Sequence, residues 1–301
     1  MTSSNKNIFY ILLFFAMIAW GGSWVNMKIL SSYLNEFETM FFRFAITAIT
    51  MIPIILVLKK SFKISLKSLF LVLLTSISLI AYMKYFYLGT KFGTASLGGA
   101  FVTSLIPINT FLIVALLNRK LITKKDSFAL LLGAIGVMTM LNVWSFNHEK
   151  VFAIQNLYFI LASLFWPIVT ILSSKATKIS PIVFTFYLYV MTSVLNLIFF
   201  VDISTIAYEK LDGLFWINML FLTLIASTFA NTIYFLGIEK LGAKEVSSFI
   251  FLVPFSAISL GAIFLGEKIS LSIIIGTILT LIAVKILNNI KIFKKRESKD
   301  S

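Results

Sequence analysis

The chain has 301 residues, a formal net charge of +14 at pH 7 and no cysteine. Hydrophobic residues make up 59% of it and charged residues 13%, and the mean hydropathy is +0.98, so a lipid bilayer is the expected solvent. The absence of cysteine excludes disulfide bonds and thiolate metal sites.

Ten apolar runs follow one another along the chain, each close to the length of about 20 residues that a helix needs to cross a bilayer. We therefore predict an all-α integral membrane protein with ten transmembrane helices. The runs are Ile8–Val25, Phe37–Leu58, Leu69–Gly89, Ala95–Leu117, Phe128–Phe146, Ile154–Ser174, Pro181–Val201, Phe215–Leu236, Val246–Gly266 and Leu271–Leu287.

The positive charges lie in the short joints between these runs, and they predict the orientation. With the N-terminus inside, nineteen Lys and Arg residues face the cytoplasm and five face outward. This bias requires an even number of spans, which also brings the C-terminus inside. The basic tail at 289–301 is typical of a solvated anchor that faces anionic lipid. Charges spread over short loops do not favour nucleic-acid binding.

A stretch of the first half recurs about 150 residues later in the sequence. Tyr82–Ile122 resembles Tyr234–Ser270, with Leu105-Ile106-Pro107 matched by Leu252-Val253-Pro254. The fourth and ninth predicted helices therefore each carry a mid-span proline beside small polar residues.

The repeat predicts two five-helix units, at 1–146 and 154–288. Five is an odd number, so the second unit enters the membrane inverted relative to the first. Inverted repeats are frequent in secondary transporters, whose substrate lies between the halves near mid-membrane. A purely architectural duplication is the alternative.

The acidic residues limit the chemistry that the chain can perform. All twelve lie in predicted loops or at span edges, which disfavours intramembrane enzymes that use carboxylate pairs and proton relays built on buried acids. His148 is the only histidine and lies in the loop between the halves. We predict no catalytic residue, no metal site and no cofactor.

Two cations lie inside predicted spans, Arg43 in the second and Lys84 in the third, about 8–9 Å below the outer boundary. One interpretation is structural: Lys84 extends outward to the interface, and Arg43 pairs with Glu36, Glu38 or backbone carbonyls. The other is functional: both side chains attract solutes that bear a carboxylate or a phosphate into an outer vestibule.

Aromatic and polar residues within the spans are the other candidates for the site. Trp20 and Trp166 occupy corresponding positions near the middle of the first and sixth helices, each beside a residue that weakens a helix. The candidate substrate-binding residues are Trp20, Arg43, Tyr82, Lys84, Asn109, Trp166, Asn231 and Tyr234. The candidate hinge or gate residues are Gly21, Gly22, Pro107, Pro167 and Pro254.

These motifs, taken together and in order, resemble the EamA-type bacterial permeases of the drug/metabolite transporter superfamily. The resemblance runs from Ile8 to about Asn288 and rests on AWGGSW at the end of the first helix, Phe42-Arg43-Phe44, YLGTKFGTAS and the two proline sites with the joints that follow them. It implies ten helices in two inverted halves around a central cavity, and export or exchange of small metabolites, often amino acids. The chain departs from the family at Asn118-Arg119, where a Gly-Glu joint is expected.

The predicted function is a secondary transporter of small metabolites that works by alternating access, as an exporter or exchanger, in the bacterial inner membrane. Its expected partners are a small-molecule substrate and the lipid bilayer. An intramembrane enzyme acting on a lipid-linked substrate and a passive channel are the alternatives. The sequence leaves the substrate, the direction, the coupling and the oligomeric state open.

Overall fold

A computed structural model describes residues 3–119, 121–176, 179–241, 246 and 248–287, and within these residues the chain forms helices and no strands. The eighth helix has three segments, α-helical Gly213–Leu220, π-helical Phe221–Phe229 and α-helical Ala230–Leu241, which together are called α8. The other long helices are α1 Ser3–Leu30, α2 Glu36–Val57, α3 Leu66–Phe92, α4 Ala95–Leu117, α5 Lys124–Met140, α6 Ile154–Ser174, α7 Pro181–Phe199, α9 Leu252–Leu265 and α10 Leu271–Leu287.

Seven of the described helices, α1 to α4 and α6 to α8, are long and apolar enough to cross a membrane. The shorter α5, α9 and α10 have 17, 14 and 17 residues. Large apolar side chains such as Val57, Leu116 and Ile263 are more than 70% exposed, as expected where a helix faces lipid. The chain is a multi-pass membrane protein.

Local sequence signals explain where several helices begin. Asn35 and Glu38 form a capping box at the start of α2, in which each side chain accepts a hydrogen bond from the other's backbone N–H. Thr123 and Asp126 do the same at the start of α5. The Thr94 hydroxyl accepts from the Leu97 N–H at the start of α4.

Several predicted helix ends differ from the structure; for example, α1 extends from Ser3 to Leu30 where Ile8–Val25 was predicted. The fifth helix was predicted to reach Phe146, but α5 ends at Met140, because the chain turns through left-handed conformations at Asn142 (φ 54°) and Phe146 (φ 50°). The ninth was predicted to begin at Val246. Val246 is helical, residues 242–245 and 247 lie outside the described residues, and a 3₁₀ turn at Ser248–Phe251 leads into α9 at Leu252.

The boundary between the 3₁₀ turn and α9 changes the interpretation of Pro254, which was predicted at mid-span. Pro254 is the third residue of α9 and therefore lies in its first turn. The N–H groups of a first turn have no partner within the helix, so a proline there removes no hydrogen bond. Pro107, by contrast, lies well inside α4.

The helices pack mainly between the first five and the last five. Helix α5 packs against α10, α2 against α7, and α4 against α9. Helix α1 packs against α8 and α9, and α6 packs against α3 and α4. One large cluster of buried apolar side chains includes residues from all ten long helices and is the core of the molecule.

Candidate functional site

Four of the predicted site residues form two aromatic pairs inside the bundle. The ring of Trp20 lies 5.1 Å from that of Tyr234, centroid to centroid, and the ring of Tyr82 lies 4.7 Å from that of Trp166. Each pair joins the first helix of one half to the third helix of the other half, α1 to α8 and α6 to α3. All four side chains are partly accessible rather than fully buried, although they lie between packed helices.

Arg43 lies beside these pairs and is held by α8. Its Nε and Nη2 each lie 3.3 Å from the Ser227 hydroxyl oxygen, and its Nη1 lies 3.9 Å from the Met83 sulfur. The sequence-based interpretation in which Arg43 pairs with Glu36 or Glu38 was wrong, because the contacts of Arg43 are with Ser227 and Met83. Glu38 instead accepts from the Asn35 backbone N–H at 2.9 Å, as part of the α2 cap.

The π-helical segment of α8 brings Ser227 to Arg43. In this segment the turns are wider than in an α-helix, and the Ser227 hydroxyl donates to the Leu222 carbonyl five residues earlier, at 2.8 Å. The next residue, Thr228, shares a hydrogen bond of 2.7 Å with Thr50 of α2. Segments of π-helix are rare and often lie at functional sites.

A tyrosine and an amide complete the polar centre. The Asn231 amide nitrogen donates to the Tyr189 hydroxyl at 2.6 Å, and the Tyr189 ring stacks on Phe44 at 4.9 Å. Both Tyr82 and Tyr189 lie close enough to Arg43 to interact with it electrostatically. Helices α2, α3, α7 and α8 therefore meet at a cluster of one guanidinium, two phenols, an amide and a hydroxyl, which we call the Arg43 cluster.

Sequence reasoning missed Ser227 and Tyr189. Tyr189 is a tyrosine in the middle of an apolar run, which is a signal of the same kind as Tyr82. Ser227 lies in the small-residue run at 226–228, but nothing in that run predicts a π-helix. Its contact with Arg43 joins residues 184 positions apart.

Two other candidates lie apart from the Arg43 cluster. The Asn109 amide donates to the Ser163 carbonyl oxygen at 3.0 Å and to the Ser163 hydroxyl at 2.9 Å, which links α4 to α6. The Lys84 ammonium lies 5.8 Å from the centre of the Phe37 ring at the start of α2. The structure therefore does not place Lys84 with Arg43, although the two have similar depths in the sequence.

The candidate hinge residues lie where helices approach closely. A Cβ on Gly21 would lie 2.4 Å from the Ser256 Cβ of α9, and one on Gly22 would lie 3.3 Å from the Phe221 ring. Pro167 is buried in α6, beside Trp166. Gly21 is therefore required for the close packing of α1 on α9, whatever further role it has.

Two surface grooves lie away from these residues. One, of about 440 Å³, lies between α2 and α8 and includes Pro53, Leu58 and Leu236. The other, of about 510 Å³, lies at the end of α4 and includes Leu112 and Arg119. Neither groove is lined by a candidate substrate-binding residue, so the central cavity stays a prediction.

The arrangement is suited to binding a small solute. It offers hydrogen-bond donors from a guanidinium and phenols, and aromatic faces from two tryptophans. Within the described residues no group of three or more His, Asp or Glu side chains could hold a metal ion.

Comparison with known proteins identifies the family. The model of the EamA-like transporter family matches residues 7–142 and again 153–289. The uncharacterised transporter YyaM of Bacillus subtilis (strain 168) is 23% identical over 289 residues, which cover 93% of each chain. The uncharacterised transporter YoaV of the same organism is 22% identical, over 87% of this chain and 90% of its own.

The fold also matches that of a protein of known crystal structure. The two have a TM-score of 0.59 and 17% identity, and the match covers 93% of this chain and 96% of the other. The structural match shows the fold. The two family matches, which together span most of the sequence, show that the chain belongs to the EamA-like transporter family.

Proposed function

We propose that this transporter carries small metabolites such as amino acids by alternating access, as an exporter or an exchanger. It has ten transmembrane helices in two inverted five-helix repeats, 1–146 and 154–288, and both termini face the cytoplasm of a bacterial cell. The alternatives, an intramembrane enzyme and a passive channel, receive no specific support from the residues at the centre of the bundle.

The helix neighbours support the two-repeat arrangement. If α1 is exchanged with α6, α2 with α7, and so on to α5 with α10, the contact between α1 and α9 becomes that between α6 and α4. Similarly, the contact between α3 and α6 becomes that between α8 and α1. The double family match, at 7–142 and 153–289, divides the chain at the same place. Residues 289–301, the proposed basic tail, lie outside the described residues.

The observation that carries the transport proposal is the crossed arrangement of the two Trp–Tyr pairs. Each half contributes one tryptophan and one tyrosine, and each pair spans the boundary between the halves. A solute bound there would contact both halves. When the halves move relative to each other, these contacts would rearrange, which is what alternating access requires.

Counterflow in proteoliposomes tests this proposal. Vesicles with the purified protein are loaded with an unlabelled amino-acid mixture, and the uptake of each labelled amino acid is measured. A carrier gives saturable uptake that the internal solute accelerates, whereas a channel gives linear, unaccelerated flux and an enzyme gives none.

Tryptophan variants localise the activity. We expect Trp20→Ala and Trp166→Ala each to lower the uptake at least 10-fold, because each removes one face of an aromatic pair. Trp144→Ala is the matched control, since Trp144 lies in the loop after α5 and is 54% exposed. Equal losses in all three variants would contradict the assignment.

The proposed orientation has its own test. A reporter fused after Ser301 should behave as cytoplasmic and one inserted at 147–150 as external. An external C-terminal reporter would contradict an even number of spans with the N-terminus inside.

A further inference from the structure

The Arg43 guanidinium is only partly satisfied by the protein. An arginine side chain has five N–H donors. In the described residues three of them have contacts, two with the single Ser227 oxygen at 3.3 Å and one with the weakly accepting Met83 sulfur at 3.9 Å. Two donors remain, which is the number that a carboxylate engages in a bidentate pair with arginine.

Arg43 also lacks a counter-charge. It lies seven residues into α2, about 10 Å along the helix axis from Glu36, within the membrane-spanning segment. In the described part of the chain no acidic side chain forms an ion pair with it. A charge inside the membrane normally faces a partner or a wet cavity, because its desolvation is costly. The Arg43 side chain is partly accessible, and an anion is the partner that it lacks in the described residues.

The neighbouring groups are also suited to an anion. The Tyr189 hydroxyl accepts from Asn231, so its own proton is available to a further acceptor. Contacts in the described residues give the Tyr82 hydroxyl no hydrogen-bond partner, and this phenol is close enough to Arg43 to interact with it electrostatically. Guanidinium and phenol groups can all donate to one carboxylate, whereas an organic cation would find no carboxylate in this cluster among the residues that the structure describes.

The aromatic pairs define the rest of the ligand. Tyr82 belongs both to the Arg43 cluster and to the pair with Trp166. On the other side, Asn231 is three residues before Tyr234 on α8, within reach of the pair with Trp20. An aromatic or branched apolar group next to the carboxylate would pack against these rings.

We propose that Arg43 binds the carboxylate of the transported solute, and that the preferred substrates are organic monocarboxylates with an aromatic or branched apolar remainder. This inference rests on the proposed transport function and names its substrate class. The carboxylate occupies the two donors that the protein leaves open, and Ser227 holds the guanidinium in position through Nε and Nη2.

Three probes that share a phenylethyl group separate the charge from the apolar remainder. These are 3-phenylpropionate, an anion; phenylalanine, a zwitterion; and phenethylamine, a cation. Each is measured as a competitor of uptake in proteoliposomes and, independently, by the shift of the thermal unfolding midpoint of the purified protein in detergent. We expect 3-phenylpropionate to bind at least 10-fold more tightly than phenethylamine.

Variants of the two intramembrane cations provide the matched comparison. Arg43→Met should weaken 3-phenylpropionate binding at least 10-fold, because a bidentate charge-assisted contact is lost. Arg43→Lys keeps the charge but not the planar fork, and should give an intermediate loss. Lys84→Met removes one charge at similar depth, against Phe37 and away from the cluster, and should change binding less than about 2-fold.

The outcomes separate the two proposals. Transport of an amino acid with equal affinity for the three probes would overturn the carboxylate assignment and leave the transport function standing. An Arg43-dependent thermal shift by 3-phenylpropionate without counterflow of any solute would support the site and contradict transport. If Arg43→Met does not fold, Arg43→Lys decides: unchanged discrimination between anion and cation together with unchanged affinity would overturn the bidentate contact.

Discussion

The fourth and ninth helices occupy corresponding places in the sequence repeat, but they begin in different ways. At the start of α4 the Ala95 and Ser96 N–H groups donate to the two carboxylate oxygens of Glu267, at 2.7 and 2.8 Å, and the Ser96 hydroxyl donates to the same carboxylate. Glu267 belongs to the joint between α9 and α10. At the start of α9 no side-chain cap is present, and the helix continues from a 3₁₀ turn.

A second charged residue, Lys28, binds the same turn between α3 and α4. The Lys28 ammonium, near the end of α1, donates to the Lys91 and Gly93 carbonyl oxygens at 2.8 and 2.6 Å, where α3 ends. A cation therefore lies at the C-terminus of α3 and an anion at the N-terminus of α4, as the two helix dipoles favour. Charged groups from both halves of the molecule, Lys28 and Glu267, therefore bind the backbone of the turn between α3 and α4.

The sequence explains why the other joint differs. The counterpart of Glu267 in the first half is Arg119, whose guanidinium has no acceptor to offer to a helix N-terminus. Arg119 is exposed and adopts a positive φ of 49°. At this position of the repeat the first half therefore carries a hydrogen-bond donor where the second half carries an acceptor. The two repeats therefore differ at Glu267 and Arg119, and mutation of each residue tests what it contributes to stability.

The largest expected effect comes from removing the Glu267 carboxylate. Glu267→Ala leaves the two N–H groups of α4 without their acceptor and should lower the free energy of unfolding by about 3 kcal/mol, since hydrogen bonds to charged groups are worth about 1.5–3 kcal/mol. Glu267→Gln keeps one acceptor oxygen and should lose less. The measurement is the unfolding equilibrium in mixed detergent micelles.

Arg119→Gln is the control at the corresponding joint. It should change the free energy of unfolding by less than about 0.5 kcal/mol, as exposed substitutions usually do. Equal losses of unfolding free energy at Glu267 and Arg119 would show that the two joints contribute equally to stability.

A smaller effect is expected from crowding the Glu267 cap. A Cβ on Gly261 of α9 would lie 2.3 Å from the Ser96 hydroxyl oxygen and 2.8 Å from a Glu267 carboxylate oxygen. Gly261→Ala should therefore displace the carboxylate and destabilise the protein by about 1–3 kcal/mol. The same unfolding equilibrium measures this change.

Gly213→Ala is the matched control, because nothing lies within 4 Å of a Cβ at the start of α8. In a Glu267→Ala background the effect of Gly261→Ala should decrease, since the carboxylate that it displaces is absent. An undiminished effect would place the strain elsewhere in the α4–α9 contact.

The sequence predicted the helices best where polar joints bound them sharply. The bounds of α4, α6 and α10 agree with the prediction, and each begins after a short polar joint. The predicted end of α5 was wrong because hydropathy continues across it, and the apolar run of the ninth span includes a 3₁₀ turn. Left-handed turns at Asn142 and Phe146, and a 3₁₀ turn before α9, are backbone events that apolar composition does not register.

The candidate site was less accessible to sequence reasoning. Mid-span tryptophans and tyrosines could be selected because such residues are unusual away from the interface, but their pairing across the halves depends on tertiary packing. The two cations looked equivalent in sequence, yet the structure places Arg43 beside Ser227 and Lys84 against Phe37. The two cations differ in the neighbouring helix residue that each side chain contacts, which the sequence alone does not reveal. The role of these residues in binding stays a prediction.

The smallest expected effect concerns the hydrogen bonds of Asp212, in the loop that precedes α8. An Asp212 carboxylate oxygen accepts from the Phe215 N–H at 2.9 Å and from the Tyr33 hydroxyl at 2.9 Å, which links this loop to the loop after α1. The backbone hydrogen bond from Phe215, followed by that from Tyr33, lowers the pKa of Asp212 below its ordinary value of 3.8. The ionised carboxylate is thus the form that the folded protein favours.

The sign of the pH dependence follows from this direction. A carboxyl group whose pKa is lower in the folded state contributes stability above its unfolded pKa, near 3.8, and loses it as the pH falls through the lower folded pKa. Asn is as good an N-cap as Asp, so Asp212→Asn removes the charge and keeps the cap. Unfolding midpoints of the wild type and of Asp212→Asn should therefore differ above pH 4 and converge under acid, with Tyr33→Phe between them. Because the carboxylate is exposed to solvent, the difference should be small beside that of Glu267. A difference that stays constant across this pH range would show that Asp212 acts through its shape and not through its charge.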